Sequence, residues 1–140
     1  MAGTLVVGYD GSDCAEAALE AGLELAEATG DRVVIGFGYG PGDPGEEYKA
    51  HREELRKFGE RATAPALEKA RAAGVEAELE LVPERPVDAL ISLAEKHAAR
   101  AIVVGTFGET PIKGALLGST PHKLLHVSDR PVLVVPVPEG

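Results

Sequence analysis

Residues 101–120 read A-I-V-V-G-T-F-G-E-T-P-I-K-G-A-L-L-G-S-T. The first four, Ala101 to Val104, are wholly apolar, and a strand with no polar position is one buried on both faces, as in a parallel sheet sandwiched between helices. Glycines follow at 105, 108, 114 and 118. Glycine lets a backbone take positive φ or come close to another molecule, at an entropic cost that a plain surface loop has no reason to bear repeatedly. A buried strand that ends in such a loop and then enters a helix predicts a βα unit whose loop holds something.

The same alternation extends outward from this stretch. Thr4-Leu5-Val6-Val7-Gly8-Tyr9 is a first strand, stopped by the turn and capping cluster Asp10-Gly11-Ser12-Asp13. From Cys14 to Thr29, Glu16, Glu20, Glu24 and Glu27 share one face while Ala15, Leu19, Gly22, Leu23 and Ala26 share another, and Gly30 supplies a C-cap. Arg32 to Phe37 is a second strand, followed by the loop Gly38 to Gly45. A long helix is expected over roughly 47–73, with Leu55, Phe58 and Ala62 at core spacing, kinked or divided at Pro65 and closed by Gly74. Residues 75–81 alternate apolar and acidic side chains, predicting a strand with one wet face at a sheet edge. Val87, Leu90, Ile91 and Ala94 mark a third helix, a helix is expected from about Thr120 to Val127, and Pro131 to Val135 ends the chain in a fifth strand.

Strands and helices alternating throughout predict right-handed crossovers: a doubly wound α/β domain, one unit over residues 1–140, with a five-stranded parallel sheet of order 3-2-1-4-5 and helices on both faces. Ligands of such sheets bind beyond the carboxyl ends of the strands, where the winding reverses. That brings Asp10 opposite the glycine loop.

Composition narrows the function. A chain of 140 residues with 44% hydrophobic content can bury one substantial core. The net charge of −9 argues against nucleic acid, whose footprint is a basic patch. No window approaches a membrane span of roughly 20 apolar residues, and the N-terminus shows no secretory leader, so a cytoplasmic protein is expected, with no membrane partner. The single cysteine, Cys14, excludes an intramolecular disulfide.

Gly105, Gly108, Gly118 and Ser119 fit the spacing G-x2-G-x9-G-[ST]. Gly105 can let a ligand pass the end of the fourth strand, Gly108 can reverse the chain, and Gly118, Ser119 and Thr120 lead into a helix with Pro121 expected at its first position. Free N–H groups there, with the two hydroxyls, suit a di- or triphosphate. The plainer alternative is that Ser119 or Thr120 only caps the helix. Neither the P-loop pattern nor G-x-G-x-x-G after the first strand is present.

Together, V-V-G-Y-D-G-S at 6–12, the glycine loop and R-P-V-L-V-V at 130–135 resemble the universal stress protein family across essentially the whole chain. The resemblance implies an ATP-binding, dimer-forming α/β domain, with Mg²⁺ or Mn²⁺ on the phosphates. By it, Asp10 sits at the ribose or metal, backbone near Gly38 meets the adenine, and Gly105, Gly108, Gly118, Ser119 and Thr120 surround ribose and phosphates, with Tyr9 and Thr106 beside them. Phe107 stands where members of the family often have a basic residue, and Gly36-Phe37-Gly38 is richer in glycine than the usual strand ending. The function implied is a nucleotide-dependent stress-response or signalling module with an unidentified protein partner. A slow ATPase, and a dimeric scaffold that binds no ATP or takes AMP or cyclic AMP, are the rivals.

The fifth strand, Val132-Leu133-Val134-Val135, is apolar at every position yet falls at an edge, which predicts pairing with a second copy. Lys113 could reach a phosphate. His122 and His126, four apart, form half a metal site at most. His51 and His97 read as surface residues without a specific role.

Overall fold

Five short runs of β-branched and apolar residues become strands: Thr4–Gly8 (β1), Arg32–Gly38 (β2), Ala77–Val82 (β3), Ala101–Gly105 (β4) and Val132–Val135 (β5). The computed structural model describes residues 3–40, 46–107 and 117–137, the side chains of 46–50 excepted. All the strand pairings are parallel and the order is β3-β2-β1-β4-β5, as the alternation predicts. The helices are Asp13–Thr29 (α1), Glu46–Ala72 (α2), Pro86–Lys96 (α3) and Ser119–Val127 (α4).

The central strands are apolar beyond their first residues, Thr4 of β1 and Arg32 of β2, because each of their faces has a core to fill. Leu5, Val7, Val33, Ile35 and Val103 pack with α1 and α2, whereas Val6, Val34, Ile102 and Val104 pack with α3 and with Leu124 of α4. Nearly all of these side chains are fully buried, and each contributes about 1.5–3 kcal/mol by leaving water. A one-residue slip of any strand would exchange the two sets.

Local signals set the ends of the first helix. Ser12 caps α1 with its hydroxyl oxygen accepting the Ala15 N–H at 3.1 Å, and Gly30, at φ 78°, ends it with its N–H donated to Ala26. The second helix departs from expectation. Pro65 does not divide it, and Phe58 is 42% exposed rather than in the core. The face that meets the sheet is built from Gly59, Thr63, Ala66 and Ala70, small residues at helical spacing that bring the backbone close to β2. The Phe37 ring lies where a Cβ on Gly59 would stand, 2.6 Å away, and the buried Thr63 hydroxyl is satisfied by donating to the Gly59 carbonyl at 2.6 Å.

No helix among the described residues is long and apolar enough to cross a membrane. Both β3 and β5 lie at edges. On β5, Leu133 stays 41% exposed, and nearby Leu125, Val127 and Val137 are exposed as well.

Candidate functional site

A cleft of about 100 Å³ opens beyond the C-terminal ends of β1, β2 and β4, where the winding of the sheet reverses direction. Its floor is glycine: Gly8, Gly36, Gly38 and Gly105. Two of these are dictated by helices. A Cβ on Gly105 would stand 2.5 Å from the Cys14 carbonyl oxygen, and one on Gly38 would stand 2.8 Å from the Glu84 carbonyl oxygen and 2.9 Å from the Ala89 Cβ. Both sites therefore require glycine so that the first turn of α1 and the entry to α3 can close on the strand ends, before any ligand is considered. The walls are apolar, with Phe37, Pro86, Leu90, Val104 and Phe107 around the opening.

Polar groups come from the turn after β1 and from α4. Asp10 lines the cleft, and its Oδ1 also accepts the Ser12 N–H at 2.9 Å, an Asx turn that fixes the approach to α1. Tyr9 is buried, lines the cleft, and donates its hydroxyl to Glu16, which is also bonded to Lys69 of α2 at 2.5 Å. Burial, with the hydrogen bond and charge of Glu16, pushes the Tyr9 phenol far above its usual range. Burial also pushes Glu16 up, but the Lys69 ammonium and the Tyr9 hydroxyl more than offset it and hold the carboxyl below its ordinary value. Tyr9 is thus a neutral wall of the cleft tied outward to α2.

The N-cap of α4 is Gly118, with extended backbone and no side-chain cap, and the Gly118 N–H donates to the Thr106 carbonyl at 2.7 Å. Ser119 and Thr120 therefore occupy the first two helical positions, and neither serves as the cap. Pro121 is third rather than first, so the initial turn offers the Ser119 and Thr120 amides but none from residue 121. Thr120 and Pro121 line the cleft, while Ser119 is exposed beside it. The Thr106 hydroxyl lies 3.8 Å from the Cys14 Sγ, which faces β4. Gly108, Glu109, Lys113 and Gly114 lie outside the described residues. Among the described residues the lining carries one acidic group, Asp10, and no basic one.

Of the residues predicted for the site, then, Tyr9, Asp10, Gly38, Gly105 and Thr120 line one cleft, whereas Thr106, Gly118 and Ser119 are not among its lining residues. Phe37, Pro86 and Leu90 were missed, since their place at the cleft follows from how α3 packs and leaves no local pattern. His122 and His126 are exposed and stack edge-on, with ring centroids 4.9 Å apart. A shallower groove of about 490 Å³ runs between α1 and α2 at the opposite end of the sheet. Its one buried charge, Asp31, already accepts hydrogen bonds from Arg100 and from the Gly3 N–H.

Residues 1–136 match the model of the Universal stress protein family. Universal stress protein YxiE of Bacillus subtilis is 32% identical, with 94% of this chain and 97% of that protein aligned. Among solved structures, a universal stress protein in complex with cAMP is similar with a TM-score of 0.75 and 31% identity, covering 97% of this chain and 98% of the other. The universal stress protein from Archaeoglobus fulgidus in complex with dAMP shares the fold, with a TM-score of 0.65 and 24% identity over 96% of this chain and 98% of that one. A family match over nearly the whole length, together with the sheet order and the cleft, leads to one assignment: the chain belongs to the universal stress protein family.

Proposed function

We propose that the cleft binds an adenine nucleotide and that residues 1–140 act as one nucleotide-dependent stress-response or signalling unit. The observation that carries this reading is the convergence of Asp10, the glycine floor and the uncapped start of α4 on one cleft at the reversal point of the sheet. Its apolar walls suit a purine, the Ser119 and Thr120 amides suit a phosphate, and Asp10 suits a ribose hydroxyl or a phosphate-bound metal. The complexes of related structures with cAMP and dAMP support the adenine class.

ATP is the first reading, from the G-x2-G-x9-G-[ST] spacing at Gly105, Gly108, Gly118 and Ser119. Asp10 is the one charged group among the described cleft residues, so a triphosphate there calls for Mg²⁺ or Mn²⁺ to offset its charge. That same lining favours a second reading, cyclic AMP, which carries a single negative charge and is the ligand of the relative that is 31% identical. Hydrolysis needs a group that orients or deprotonates water. Among the described cleft residues only Asp10 has a carboxylate for that task. Its side-chain hydrogen bond is with the Ser12 N–H rather than with a group that would make it a base, so binding is put ahead of a slow ATPase.

The exposed apolar edge of Leu133, flanked by Val132, Val134 and Val135, supports a two-fold dimer through β5. Titration calorimetry on nucleotide-free protein tests the ligand: MgATP binding tighter than cAMP supports the first reading, the reverse order supports the second, and saturation by neither ends both. A Thr120→Val variant should weaken phosphate-dependent binding by about tenfold, as expected for one lost hydrogen bond to a charged group.

A further inference from the structure

At the β3 edge, among residues that do not line the cleft, the alternation of the strand sends Ala77 and Leu79 toward α1 and α2 and aims Glu78 and Glu80 at the other face. There they meet His97, the residue that ends α3. The His97 Nε2 contacts the Glu80 Oε2 and lies 3.7 Å from the Glu78 Oε1. One ligand atom from each residue falls within 4.8 Å of the other two. We propose that Glu78, Glu80 and His97 form a binding site for a divalent metal ion of the zinc type.

The donor set fits that class. One imidazole and two carboxylates match the mixed N/O preference of Zn²⁺ or Co²⁺. Bonds of about 2.0–2.2 Å place tetrahedral ligands about 3.3 Å apart, so Glu78 has to draw in from 3.7 Å while His97 and Glu80, in direct contact, move apart to admit the ion, leaving a fourth position for water. The site is half sheltered: the side chains of His97 and Glu80 are 13% and 20% exposed.

Two cations already attend these acids. Arg32 bonds to Glu78, and the Lys96 Nζ donates to the Glu80 Oε1 at 2.5 Å. A metal ion has to displace these cations, and take the place of the proton between His97 Nε2 and Glu80, before the two carboxylates can balance its charge. Lys96, 63% exposed, is free to turn into solvent, and such an exposed pair contributes little net stability. This gives the proposal a signature that a plain ion-pair cluster lacks: removing Lys96 should strengthen metal binding.

The experiment titrates Co²⁺, followed by visible absorption and competed by Zn²⁺, into nucleotide-free full-length protein carrying His51→Gln, His122→Gln and His126→Gln, which leaves His97 as the sole histidine. One ion per chain is expected. His97→Gln and Glu80→Gln should each weaken binding by at least about tenfold, and Lys96→Gln should tighten it several-fold. No saturation, or affinity unchanged by His97→Gln, overturns the site. Lys96→Gln keeps all three ligands, so if the other variants fail to fold, unchanged or weaker binding in that variant overturns it as well.

Discussion

The two ends of the sheet are built on opposite plans. At the end where the strands begin, side chains tie neighbours together: Asp31, ahead of β2, accepts the Gly3 N–H at 2.8 Å and a two-pronged bond from Arg100, ahead of β4. Arg130, ahead of β5, donates to the Ala99 carbonyl at 2.9 Å. At the end where the strands finish, glycines replace side chains and the joins run through backbone, such as Tyr9 N–H to Gly36 and Gly118 N–H to Thr106. Charge and branching lock one end, and the absence of side chains hollows the other. In a parallel sheet every crossover returns to the same edge, so one end can be specialised for stability and the other for a ligand.

If the hollow end depends on close backbone approach, Gly105→Val should have the largest effect. Its Cβ would meet the Cys14 backbone at 2.5 Å, and neither β4 nor α1 can yield cheaply, so a loss of about 3 kcal/mol or more is expected in urea unfolding. A loss below about 1 kcal/mol would mean that the cleft floor is slack and the contrast between the two ends is overstated.

The locked end is sharpened by Asp31→Asn. The Asp31 side chain is fully buried while that of Arg100 is half in water, so the variant should lose about 1–3 kcal/mol at neutral pH, from weakened charge-assisted hydrogen bonds to a buried group. The Arg100 guanidinium, helped by the Gly3 N–H against the opposing effect of burial, holds the Asp31 carboxyl below its ordinary value. A carboxyl depressed in the folded state contributes stability that is present above its unfolded pKa, about 3.9, and is lost as pH falls through the folded value. Wild type and variant should therefore converge in stability in acid, and a constant difference from pH 7 to pH 2 would count against the ion pair.

The smallest effect is expected at Ala98, also at the locked end. It follows the α3 cap with φ 49°, a conformation that favours glycine. Ala98→Gly should raise stability by up to about 1 kcal/mol in thermal unfolding, and a decrease would show that the turn carries no strain.

Much of the architecture is legible in the chain because β4 has no polar position, β1 has one only at its first residue, Thr4, and Ser12 and Gly30 mark the ends of α1 in the ordinary way. The second helix is less legible. Its true core face, Gly59 to Ala70, is made of small residues whose burial depends on how closely the helix lies against β2, while Phe58 stays partly in water beside Phe37, with ring centroids 6.4 Å apart. At the candidate site the glycines stand out in sequence, but the reasons for Gly38 and Gly105 lie in contacts with Glu84 and Cys14, far from each in the chain. His97 has no local pattern linking it to Glu78 and Glu80, since it is the packing of α3 against the sheet that brings its last turn to β3.

Nucleotide binding at the hollow end is tested most directly by calorimetric titration of nucleotide-free protein beside a Gly118→Val variant. The added Cβ would press on the Phe107 backbone at 3.1 Å, at the mouth of the cleft and away from the core. Saturable binding of about one adenine nucleotide per chain, abolished in a variant that keeps the thermal stability of the wild type, is the predicted result. Binding that survives Gly118→Val unchanged, or no binding by folded, verified nucleotide-free protein, would contradict it.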